Sequence, residues 1–172
     1  MRYILPEPES ENVIVEEIDL KLNMAEKELT TEELFIKYFP KEDYNKTVIA
    51  LARMIHGEAI GVKSITNRAA LIWEVGNRVD RHQRGDTFLE CVKSRHQFCF
   101  RRKYTEEEIW IVEDVLNRWL REKMGEVNVG RILPTGFCFH HGNGEINIFR
   151  DKYLFKDNPK LLKLVHSEIY GD

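Results

Sequence analysis

One carboxylate stands out by its position. In the stretch MIHGEAIG, Glu58 follows Leu51, Met54 and Ile55 at i+7, i+4 and i+3, so on a helix it lies on the flank of an apolar stripe. Partial burial of a carboxyl favours its protonated form. A protonated carboxyl in a cleft is what a glycosidic oxygen needs as general acid. Gly57 beside it would let a substrate approach the backbone closely. The same position also suits a boundary glutamate whose stem covers core while its head reaches water.

Histidines form the second candidate group: His56, His82, His96, His140, His141 and His166. The HGE box is not HExxH, because no second histidine follows at helical spacing. His140 and His141 are adjacent, so on a strand they would point to opposite faces. No spacing demands a zinc site built from His56, His140 and an acid. Structural or substrate-contacting roles are therefore expected, with no metal and no other cofactor. There is no GxSxG elbow, no P-loop and no cysteine with a histidine beside it. Phe98, Phe100, Tyr104, Phe137 and Phe139 share short segments with Gln97, Asn143 and Asn147. Aromatic rings with amides suit sugar stacking and hydroxyl recognition, and equally suit a core.

The elements that must position these residues are mostly helical. Thr30 and Glu33 make a capping box for a short helix that Pro40 ends. From Thr47, the residues Val48, Leu51, Ala52, Ile55 and Ala59 form one apolar stripe, and Gly61 is the expected stop. A second long helix is predicted over Ser64–Val79, with Ala69, Ile72, Trp73 and Gly76 inward. Thr87 and Glu90 cap a short helix to about Lys93. Thr105 and Glu108 open another, which ends at Gly125. Beyond it, glycines and prolines punctuate β-prone pieces at Val127–Leu133, Phe137–His140, Ile146–Phe149 and Tyr153–Phe155. A short helix is predicted within Asn158–Tyr170. Residues 1–12 read as loose, and 13–22 as a short strand or the start of a helix.

The chain of 172 residues is 42% hydrophobic and 32% charged, which fits one globular domain able to bury a core without disulfide staples. Cys91, Cys99 and Cys138 cannot pair completely and match no zinc ribbon or CxxC motif. They are expected to act as small hydrophobes in a reducing compartment. No apolar run approaches the ~20 residues of a membrane span, so no membrane insertion is expected. Charge is uneven: residues 1–46 hold 6 Lys+Arg against 12 Asp+Glu, and the remainder holds 20 against 17. An acidic N-terminal arm with a short helix (1–46) thus precedes a mildly basic domain (47–172). The arm is expected to be dispensable for chemistry, so that a chain lacking residues 1–40 would keep its activity. Without a basic stripe or reader motif, no nucleic-acid partner is expected.

The boxes ALARMIHGEAIG, RAALIWEVGNRV and HQF, followed by GRILPTGFCFHHGNGEINIFR, resemble in order and spacing the spore-cortex-lytic cell-wall hydrolase family. The resemblance spans about Val48 to Arg150. It implies an α+β chain, a helix-dominated lysozyme-like fold with a small β-subdomain near the C-terminus. It also implies cleavage of the β-1,4 bond between N-acetylmuramic acid and N-acetylglucosamine in peptidoglycan. The catalytic glutamate would be Glu58. Asn77, from the NRV box, and Gln97 and Phe98, from the QF pair, would contact substrate, with His140 and Asn147 beside them. The resemblance carries no second catalytic carboxylate over to this sequence, which points to a lytic transglycosylase that closes a 1,6-anhydro ring. The expected partner is the glycan strand, met by a monomer. With no signal-like start in MRYILPEPES, synthesis in the cytoplasm and action on the wall after release are expected, or secretion if a leader precedes this sequence. Two other readings stay open: a metal-dependent wall amidase or peptidase using His56, His140 or His141, and a non-catalytic glycan-binding module. Activity lost on chelation and restored by zinc would mark the first. Binding to sacculi without release of fragments would mark the second.

Overall fold

A computed structural model describes residues 28–172. The readings for residues 1–12 and 13–22 lie outside the described residues. Among the described residues five α-helices are followed by a small antiparallel sheet, so the α+β, helix-dominated expectation holds at that level. The helices are α1 (Thr31–Tyr38), α2 (Tyr44–Glu58), α3 (Ile65–Asp80), α4 (Phe88–Lys93) and α5 (Glu106–Lys123). None of the described helices is long and apolar enough to cross a membrane.

Side-chain caps set the helix starts. The hydroxyls of Thr30, Ser64, Thr87 and Thr105 and the carboxylate of Asp43 each accept from the backbone N–H three residues on. Such a bond satisfies one of the donors a helix leaves open at its first turn. The capping boxes at Thr30–Glu33 and Thr105–Glu108 are both complete. α5 ends at Met124 and Gly125 takes a φ of +93°. α2 starts three residues before Thr47, because Asp43 supplies the cap.

The predicted stripe Val48, Leu51, Ala52, Ile55 and Ala59 is buried. So are Ala69, Ile72, Trp73 and Gly76, and α3 lies in the middle of the molecule, with nearly every residue from Thr66 to Val79 inside. A Cβ on Gly76 would lie 2.7 Å from the Trp119 ring. That glycine lets α3 and α5 approach closely. The expected boundary at residues 46 and 47 falls inside α2. Leu34, Phe35, Phe39 and Tyr44 from the arm belong to the same core as the helices that follow. Phe39 stacks on Trp119, with ring centroids 5.9 Å apart, and Phe35 packs against both Phe39 and Tyr44.

After α5 the strands differ from the expected ones. β1 (Phe139–Gly142) and β2 (Asn147–Arg150) form a hairpin, each shifted by one or two residues. At its tip Asn143 Oδ1 accepts from the N–H of Glu145 and Ile146, and Gly144 takes a left-handed φ of +91°. No strand forms over Val127–Leu133, because Asn128 and Gly130 both take positive φ and break the extended run. Tyr153–Phe155 is not a strand either, and a 3-10 turn covers Phe155–Asp157. The predicted terminal helix is replaced by β3 (Leu161–Lys163), which pairs with the open edge of β2. Asn158 takes a left-handed φ of +51°, which departs from helical geometry where that helix was to begin.

Phe35 is fully buried, so Phe35→Ala should cost about 3–5 kcal/mol in urea unfolding. Deleting residues 1–40 removes Phe35 and Phe39 together. That truncation, expected from the sequence to leave an active domain, should instead lower Tm sharply.

Candidate active site

Glu58 is the last residue of α2, where the chain turns out of the core. Its carboxyl is held at both oxygens. Oε1 accepts from the backbone N–H of Cys99, and Oε2 lies 3.1 Å from His140 Nε2. The Cys99 segment reaches Glu58 only because residue 57 is glycine, since a Cβ there would overlap the Cys99 carbonyl group. The space beside Gly57, expected from the sequence to admit substrate, is thus taken by the chain itself.

His140 comes from β1 and its other nitrogen, Nδ1, lies 2.8 Å from Glu74 Oε2. Glu74 is fully buried on α3. Its second oxygen accepts from Arg78 Nη2 at 2.6 Å, one turn further along the helix. Arg78 in turn donates from Nε to the Cys138 carbonyl at 2.7 Å and from Nη1 to Gln97 Oε1 at 3.2 Å. A continuous chain therefore runs from Glu58 through His140 and Glu74 to Arg78. Burial opposes a charge on His140, but Glu74 and Glu58 outweigh it and hold its pKa up at about 9. Burial likewise opposes the charge on Glu74, and His140 and Arg78 outweigh it, keeping the carboxylate below its ordinary range. His140 is therefore an imidazolium at neutral pH, donating to the Glu74 carboxylate from Nδ1 and facing the Glu58 carboxyl with Nε2.

Glu58 and His140 open onto a cleft of about 590 Å³, with Gln97, Arg84, Arg150 and Tyr153 among its walls. That volume is in the range of small-molecule sites. Glu58 is the sole carboxylate among the described lining residues. The structure brings Glu58, Gln97 and His140 together at this cleft. Phe98 stands behind them, its ring 4.6 Å from the Arg78 guanidinium and stacked on His140 at 6.2 Å.

Two expected substrate contacts are corrected. Asn77 is fully buried, and its Nδ2 donates to the Pro134 and Phe137 carbonyls at 2.9 and 2.8 Å. Its Oδ1 accepts from Arg131. Every polar atom of that amide is spent on holding the chain that leads into β1. Asn147 is 1% exposed. Its Nδ2 donates to the Glu58 carbonyl at 3.4 Å, and its backbone exchanges hydrogen bonds with the Asn67 amide. It fixes the end of α2 from beneath. The metal reading finds no ligand set: among the described residues no three His, Cys, Asp or Glu side chains are arranged around one point. His56 faces Glu108 at 2.9 Å and does not line the cleft. Both nitrogens of His140 are already engaged.

Sequence reasoning missed Glu74, Arg78 and the Cys99 N–H. The first two left a signal, an i, i+4 acid–base pair whose acid interrupts the apolar run from Ala69 to Val75. The third left none. Set against known protein families, curated proteins and solved structures, the chain matches none.

Two outcomes follow. Gly57→Ala should displace the Cys99 segment and free its amide from Glu58 while the helices persist, so that hydrogen exchange at the Cys99 amide should quicken. His140 gains stability from its proton, fully present below its ordinary pKa near 6.5 and lost as pH rises through about 9. Urea-unfolding free energy should therefore fall across that interval, and the part due to this residue should vanish in His140→Gln.

Proposed function

We propose that the protein is a peptidoglycan glycosidase, a lytic transglycosylase that cuts the N-acetylmuramic acid–β-1,4–N-acetylglucosamine bond with Glu58 as its single acid/base. The observation that carries this reading is that Glu58 is the one carboxylate among the described residues lining the cleft, and it is fixed at both oxygens. Two-carboxylate schemes need a second acid on the cleft, about 5–9.5 Å from the first. Glu74 cannot serve, because it is sealed in the core behind His140. The reading extends to a lysozyme-like fold. Its support is a helix that ends in the acid beside a small antiparallel sheet.

The reaction runs with one carboxyl. Glu58 gives its proton to the glycosidic oxygen as the bond to the anomeric carbon breaks and positive charge develops there. The carboxylate so formed accepts hydrogen bonds from Cys99 N–H and His140 Nε2–H, which stabilise it without reorientation. It then removes the proton from the muramyl C6 hydroxyl, whose oxygen closes the 1,6-anhydro ring on the anomeric carbon. Glu58 ends as it began, and no water is consumed. His140, beside Oε2, can exchange a proton with Glu58 between turnovers.

Mass spectrometry of fragments released from purified sacculi tests this. Wild type should release muropeptides one water lighter than hydrolytic ones. Glu58→Gln, folded by circular dichroism, should lose at least ~10³-fold in rate, because an amide cannot donate the proton. Full activity in that variant would overturn the assignment. Fragments of hydrolytic mass would make the enzyme a muramidase, and intact glycan with severed peptides would refute both.

A further inference from the structure

The cleft carries guanidinium groups that no carboxylate among the described residues pairs with. Arg150 ends β2 and is only 7% exposed. Its Nη1 donates to the Tyr153 carbonyl at 2.8 Å, its Nη2 to the His140 carbonyl at 3.3 Å, and its guanidinium lies 4.5 Å from the centre of the Phe155 ring. Its Nε is buried with no partner. All these contacts are neutral, and among the described residues no carboxylate pairs with it. A largely buried cation without a counter-charge is costly unless something supplies one. Also lining the cleft, in the connection between α3 and α4, Arg84 is exposed and lacks a carboxylate partner among the described residues. Arg78, in contrast, is matched by Glu74.

The field of this arrangement is felt at His141, on the same wall. Burial first, and then the charges of Arg150 and His140, hold its pKa below the ordinary value. The whole chain has a net charge of -3, so this concentration of positive charge at one cleft runs against the overall balance. Clefts lined by one sign of charge focus their field on an incoming ligand of the opposite sign.

We infer that the cleft is built for a glycan strand that bears carboxylates, with one ionised carboxylate of the substrate docking between Arg84 and Arg150 while the neighbouring glycosidic bond meets Glu58. This rests on the glycosidase reading and adds the charge of the substrate to it. Guanidinium groups suit the role, because their fixed donor fork matches a carboxylate. Arg84 is the adaptable arm and Arg150 the fixed one. The carboxylate can come from a stem peptide or, on a muramyl residue without a stem, from the free lactyl group.

The test compares purified sacculi with the same sacculi after their carboxyls are converted to neutral amides, for wild type and Arg84→Gln. Arg84 is exposed, so the variant should fold normally. Wild type should show KM at least about tenfold higher on the neutralised strands, the loss expected for one hydrogen bond to a charged group. Arg84→Gln should raise KM on untreated sacculi and make little difference on neutralised ones. KM should also climb with salt for wild type on untreated sacculi. Equal KM on both substrates, with cleavage intact, would overturn this inference and leave the glycosidase reading standing. Absence of cleavage on either would overturn the glycosidase reading itself. Neutralised sacculi then freed of their stems by an amidase carry only newly released lactyl carboxylates and locate the anion: a restored KM assigns the site to the lactyl carboxylate, and a KM that stays high assigns it to the stem.

Discussion

Glu74 carries a negative charge in the middle of a helix that is surrounded by core, and an ion there is tolerated only when its oxygens are fully spent. Arg78 takes one oxygen and His140 the other. The arrangement does more than satisfy Glu74. It draws a histidine from the β-hairpin against α3, keeps that histidine charged, and so delivers a donor to Glu58 at the end of α2. Three elements far apart in sequence are tied by one buried carboxylate.

The other polar residues of α3 work the same way. Asn67 donates to the carbonyls of Asn147 and Leu164, and Asn77 to those of Pro134 and Phe137. Both amides thereby give hydrogen bonds to irregular chain that has few ladder partners of its own. The region after α5 contains little regular structure, and these side chains supply much of what a larger sheet would have provided. The cleft accordingly joins two helix residues, Glu58 and Arg78, to strands and connecting segments that are tied back to α3.

Helices were the legible part of the sequence because their caps and apolar stripes are local signals. Thr30, Ser64, Thr87 and Thr105 each stand where a helix begins. The β-region was legible as a kind of structure but not in its pairing. Whether residues 161–163 extend β2 depends on an open edge that no local pattern announces. Glu58 was legible from its place on the helix wheel, and His140 as one of six histidines. Asn77 and Asn147 were misjudged for a physical reason. An amide that recognises a sugar hydroxyl and an amide that holds a backbone carbonyl have the same chemistry, and only burial separates them.

The central claim is that Glu74 keeps His140 charged where it faces Glu58, and nitrogen-15 NMR of the His140 ring across pH tests it most directly. Both ring nitrogens should carry protons at pH 7, titrating near the raised value of about 9. In Glu74→Gln the transition should drop toward the ordinary range. A neutral single-tautomer ring at pH 7 in the wild-type protein would contradict the account.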